Sequence, residues 1–130
     1  MSNWTYVEGE IGVDYLAIDG EDKPLDFDEI IGKELHPGDH KEKWYDARKH
    51  PEKYLPFGDE GSLVRNVRVN TDTSCATTYS ITVFGYLRAH DNTDKIIDWF
   101  KEKCGKLCAQ NANITVADGL QGIKNWTLGR

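Results

Sequence analysis

The fold turns on one stretch: Tyr79-Ser80-Ile81-Thr82-Val83-Phe84-Gly85-Tyr86-Leu87, followed by Asp91-Asn92-Thr93 and a run that ends at Cys108. Tyr79, Ile81 and Val83 alternate with Ser80, Thr82 and Phe84, and an extended chain points successive side chains to opposite sides. With its β-branched and aromatic content, this run predicts a strand. Asp91, Asn92 or Thr93 can each cap a helix. Beyond them Ile96, Ile97, Phe100, Cys104, Leu107 and Cys108 recur every three or four residues, which is one apolar stripe along a helix. Asp94 and Asp98 stand near that helix's positive end and Lys101, Lys103 and Lys106 near its negative end, as the macrodipole favours.

On either side the pattern continues. Leu63, Val67 and Val69 alternate with Val64, Asn66 and Arg68, a second strand joined to the first by the turn-rich residues 70–76. Ala112, Ile114 and Val116 predict a strand after the helix, and Ile123–Leu128 a last edge strand. Residues 61–130 are therefore expected to form a strand–strand–helix–strand unit.

The first half is less regular. Val7, Ile11, Val13 and Tyr15 share one side of a strand with Gly9, while Trp4, Tyr6, Glu8, Glu10 and Asp14 take the other. An acidic turn, Asp19-Gly20-Glu21-Asp22-Lys23-Pro24, follows. Asp26 and Glu29 have the spacing of a capping box, and Ile30, Ile31 and Leu35 would be the buried side of a helix ended by His36-Pro37-Gly38. Residues 40–50 predict a short helix stopped by Pro51, and residues 36–61 together make a long insertion with little strand character. The order is β-α-β-β-α-β. The predicted fold is thus α+β, a single domain over residues 1–130. It is a ferredoxin-like βαββαβ sandwich with an antiparallel sheet, helices on one face and a helical/loop insertion in the first crossover.

Composition narrows the function classes. No apolar run approaches the ~18 residues of a membrane helix. The three cysteines, without a signal-like N-terminus, point to reduced thiols, so a soluble cytoplasmic protein with no membrane partner is expected. The net charge of −6 is divided unequally. Residues 1–60 hold sixteen Asp/Glu against seven Lys/Arg, a net of −9, and residues 61–130 hold six against nine, a net of +3. A general nucleic-acid binder needs clustered Lys/Arg facing phosphates, so direct nucleic-acid binding is not expected.

Individual motifs add little chemistry. Cys104 and Cys108 lie on the apolar stripe and read as core, with Cys75 in a turn. His36 and His40 have helical spacing, but Pro37-Gly38 breaks the helix that would aim both at one ion. Neither a metal nor a cofactor is expected. Gly58-Asp59-Glu60-Gly61 lacks the Gly-Lys-Ser/Thr ending of a phosphate loop, and Ser62 and Ser80 lack a nucleophile elbow. From these missing motifs the chain is expected not to be an enzyme. The acidic run Asp14, Asp19, Glu21, Asp22, Asp26, Asp28 and Glu29 has two readings. It is either a solvated turn and helix start, or a surface that imitates nucleic-acid phosphates and enters a basic groove. Trp44, Tyr45, Tyr54 and Phe57 would be its desolvated anchors, or would cover the sheet.

Three segments carry a resemblance. They are Asn3-Trp4-Thr5-Tyr6-Val7-Glu8-Gly9-Glu10-Ile11, Tyr54-Leu55-Pro56-Phe57-Gly58-Asp59-Glu60-Gly61-Ser62-Leu63, and Ile96-Ile97-Asp98-Trp99-Phe100-Lys101-Glu102-Lys103-Cys104. With residues 79–91 they resemble a family of small proteins of phages and prophages of Gram-positive gut bacteria. The resemblance carries no catalytic residue across. It implies a setting in which small proteins inhibit host defences, anti-CRISPR proteins among them. The expectation is a phage-encoded binding protein that inhibits a bacterial defence complex through its acidic half and the insertion, its partner a protein. One alternative is a binder of a nucleotide signal between insertion and sheet, using the aromatics and Arg65 or Arg68. Another is a structural or interaction protein of a phage with no inhibitory role. A homodimer is compatible with each.

Overall fold

A computed structural model describes residues 4–15, 26–36, 38–71, 77–88, 93–120 and 122–129. The chain forms β1 (Trp4–Tyr15), α1 (Phe27–Ile30), α2 (Lys41–Lys49), a 3-10 turn (Pro51–Lys53), β2 (Val64–Thr71), β3 (Thr77–Arg88), α3 (Thr93–Leu107), β4 (Asn111–Asp118) and β5 (Gly122–Leu128). The strands make one sheet in the order β2-β3-β1-β4-β5, every neighbouring pair antiparallel. The expected α+β architecture, an antiparallel sheet with helices, is present. β5 pairs outside β4 and forms one edge of this five-stranded sheet, with β2 at the other.

The alternation in β1 and β3 does what the sequence pattern predicts. Val7, Ile11 and Val13 of β1 and Ile81, Val83 and Leu87 of β3 are buried on one side. Ala112, Ile114 and Val116 of β4 join them, and α3 supplies Ile96, Phe100, Cys104 and Leu107. The helix packs along β1 and β4, and α1 lies against it. Gly9 is what lets Phe100 sit on β1: a Cβ there would come within 2.9 Å of the ring. Burial lifts the Cys104 thiol to about 11, so it acts as a small apolar core group.

The crossover from β1 to β2 departs from expectation. Asp26 does cap a helix, its carboxylate accepting from the amides of Asp28 and Glu29 at 3.1 and 3.3 Å. That helix ends after one turn instead of running to Leu35. Gly32 takes a φ of +136, and a Cβ there would lie 2.8 Å from the backbone of Tyr54 and Leu55. This close approach lets the chain turn and pair with a neighbour: Lys33 N–H donates to Lys53 O (2.9 Å) and Leu55 N–H donates to Lys33 O (3.0 Å). Ile31 and Leu35 are buried as expected, but in different places. Ile31 enters the main core, whereas Leu35, Ala47 and Tyr54 form a second cluster with Trp44 and Phe57. Cys108 is a further correction. It leaves the apolar stripe, taking a φ of 52 beyond the last helical residue, and is exposed.

No helix among the described residues is long and apolar enough to cross a membrane.

Candidate interaction surface

α1 and α3 pack on one face of the sheet, and among the described residues no helix packs on the other. The pairing register places its side chains in rows. Arg88 stands opposite Trp4, Tyr86 opposite Tyr6, Phe84 opposite Glu8 and Val64, Thr82 opposite Glu10 and Asn66, and Ser80 opposite Gly12 and Arg68. The two ends of this face differ in chemistry. At one end Trp4, Phe84 and Tyr86 are 46%, 42% and 59% exposed. The Tyr6 and Tyr86 rings lie 5.0 Å apart at 51°. Tyr6 Oη donates to Glu8 Oε2 at 2.8 Å, and this hydrogen bond raises the Tyr6 pKa. Aromatic side chains carry a large burial gain and here leave most of it unrealised.

The aromatic end runs into a cleft of about 460 Å³ lined by Trp4, Trp44, Arg48 and residues 59–61. Loop 58–61 forms one wall and is pinned to the end of β3. Asp59 N–H donates to Arg88 O, Arg88 N–H donates to Glu60 O (both 2.9 Å), and Arg88 Nη1 reaches Glu60 Oε1 at 2.7 Å. Gly61, at a φ of +79, closes the loop where a Cβ would stand 2.1 Å from Tyr86 O. The other wall is α2, where Trp44 donates from Nε1 to His36 O (3.3 Å) and meets Phe57 edge-on at 6.3 Å.

Of the residues singled out from the sequence, those that are described have different surroundings. Asp19, Glu21 and Asp22 lie outside the described residues. Asp14 lies in β1, with its side chain outside what is described. Asp26 is occupied as a helix cap, and Asp28 is paired with Arg65, whose guanidinium also donates to Gly32 O. Glu29 is exposed. Among the proposed anchors Trp44 lines the cleft, Tyr45 is 57% exposed with Arg48 over its ring, and Phe57 is half-buried. Tyr54 is buried, and its hydroxyl donates to Asp46 at 2.7 Å, so it holds the insertion together instead of facing outward. The binding role suggested for Arg65 is corrected too, since its ion pair and carbonyl contact commit it to the crossover. The sequence does not show Tyr6, Phe84 and Tyr86 as a group, because their meeting depends on the register between β1 and β3. The alternation of Trp4 and Tyr6 with Val7 was the only local sign.

No protein-family model and no curated protein matches the chain. Two solved structures are similar. One is a phage SAM lyase in the apo state, at 10% identity and a TM-score of 0.44, over 97% of this chain and 89% of that one. The other is a phage SAM lyase in complex with S-methyl-5'-thioadenosine, at 10% identity and a TM-score of 0.42, over 96% and 90%. At these values the likeness transfers no residue and no reaction. It does correct one expectation. Both similar structures are named as an enzyme, and the lack of familiar motifs is no ground for excluding catalysis. A site assembled across neighbouring strands leaves no contiguous motif to find.

Proposed function

We propose that the chain is a phage-type docking protein that covers a basic surface of a bacterial host protein with the aromatic end of its open sheet face. One observation carries the reading: Trp4, Tyr6, Phe84 and Tyr86 cluster on the uncovered side of the two central strands, where folding does not require them. Large aromatics that become desolvated on contact are the usual anchors of an interface. Glu8 lies within the cluster, Asp59 edges the adjoining cleft beside Arg48 and the Arg88–Glu60 pair, and the whole chain carries −6, a balance that favours a basic partner. Single-stranded nucleic acid also stacks on open sheets. Here Glu8, inside the aromatic cluster, would face its phosphates, which favours a protein over RNA or DNA. In the phage setting that the sequence resemblance implies, the basic surface is one that a defence complex, such as a CRISPR effector, presents to nucleic acid. The same reading takes β2-β3-β1-β4 as the ferredoxin-like pair of split βαβ units, with β5 added outside.

Phage plating on a host with active CRISPR immunity tests this. The wild-type chain should raise plating efficiency at least about a hundredfold, and Phe84→Ser/Tyr86→Ser should lose the effect while unfolding at the same temperature. Full protection by the double variant, or none by the wild type, overturns the reading. Following SAM consumption by the purified chain tests the enzymatic alternative, and turnover would replace docking with catalysis.

A further inference from the structure

The opposite end of the open face is built differently. A depression of about 560 Å³ lies across β2, β3, β1 and the start of β4, with Arg68, Glu10, Asn66, Ser80, Thr82 and Asn111 at its surface. Its volume is within the ~300–1,000 Å³ of small-molecule sites. Arg68 and Glu10 are both exposed, and among the described residues neither side chain makes a hydrogen bond or an ion pair. They are two strands and one row apart, a Cα separation of roughly 12 Å by regular sheet spacing. Thr82 and Ser80 occupy the strand between them. Gly12 makes room for the Asn111 amide to lie over β1 at the rim of the depression: a Cβ there would meet it at 2.6 Å.

We infer that this depression binds a small zwitterion of the amino-acid type, its carboxylate on the Arg68 guanidinium and its ammonium on the Glu10 carboxylate. A ligand with one charge of each sign satisfies both unpaired groups at once. The Ser80 and Thr82 hydroxyls and the two amides supply neutral hydrogen bonds around it. A nucleotide fits less well, because a single cation would face two or more phosphate charges with Glu10 opposing them. This inference is independent of the docking reading, which uses the other end of the face.

The test is amide-resolved NMR titration of the full chain with each of the twenty protein amino acids, then with the N-acetyl and methyl-ester forms of any that bind. Expected are saturable shifts at Arg68, Ser80 and Thr82 for at least one free amino acid, with binding at least about tenfold weaker once either charge is blocked. Arg68→Gln and Glu10→Gln should each weaken binding by a similar factor and leave the unfolding temperature in place. The inference is overturned by the absence of saturable shifts with all twenty, by equal binding of the blocked forms, or by variants that bind like wild type.

Discussion

The two faces of the sheet are made by the same strands, residue by residue, yet they have opposite fates. On the covered face Val7, Ile81, Val83 and Phe100 are excluded from water almost entirely. On the open face Phe84 and Tyr86, one position away along the chain, remain about half exposed. Alternation alone makes two faces and does not say which will be covered. The helix decides that, by bringing an apolar stripe to one side only. The lesson is that similar side chains stabilise the fold on one face and are left over for recognition on the other.

Two phenylalanines give the sharpest way to break this comparison. Phe100→Ala should cost about 3–5 kcal/mol, since the ring fills the space above Gly9 and meets Trp126 edge-on at 5.9 Å. Phe84→Ala, the same chemical change on the open face, should stay within about 0.5 kcal/mol. Denaturant unfolding of both variants checks the pair, and equal losses would mean that the open face is covered after all. A smaller effect is expected where the crossover is tied to the sheet. Arg65→Ala should cost about 1–3 kcal/mol, because it strands the Gly32 carbonyl and frees Asp28, residues that lie more than thirty positions earlier. A change near zero would show that the crossover is held without Arg65, by Ile31, Leu55 and the backbone pairing of Lys33.

The smallest effect concerns the second cluster and appears only at high pH. The hydrogen bond to Asp46, reinforced by burial, raises the Tyr54 hydroxyl from 10.0 to about 12. A folded-state pKa above the unfolded one gives stability that is complete below pH 10 and disappears as pH rises through about 12. Asp46 shifts the other way, held below its usual range chiefly by the same hydrogen bond, so its share of stability is lost only in acid. Ultraviolet titration of the tyrosines should therefore show an ionisation near 12 from Tyr54, beside a Tyr6 that is also raised by its bond to Glu8. Asp46→Asn should move the Tyr54 ionisation back toward 10.0, and an unchanged titration would separate Tyr54 from Asp46.

Much of the second half was legible because its signals are local. Tyr79 to Leu87 alternates with the period of a strand, Ile96 to Leu107 repeats with that of a helix, and both elements form as the pattern implies. The failures are equally specific. Ile30, Ile31 and Leu35 have helical spacing, but only the backbone of Tyr54 and Leu55 arriving beside Gly32 reveals why the helix stops after one turn. The cap at Asp26 is legible from its spacing, whereas the pairing of Asp28 is not, because its partner Arg65 is distant in sequence.

The sequence by itself determined the periodicities, and hence the strands, the long helix and the identity of most core residues, because these depend on neighbours within a few positions. Tertiary structure decided the rest. It chose which sheet face the helices cover, set the β1–β3 register that brings Tyr6 to Tyr86, and placed Arg68 and Glu10 around one depression. Each of these is a meeting of residues far apart in the chain, governed by packing and hydrogen bonding between elements, and no local pattern encodes it.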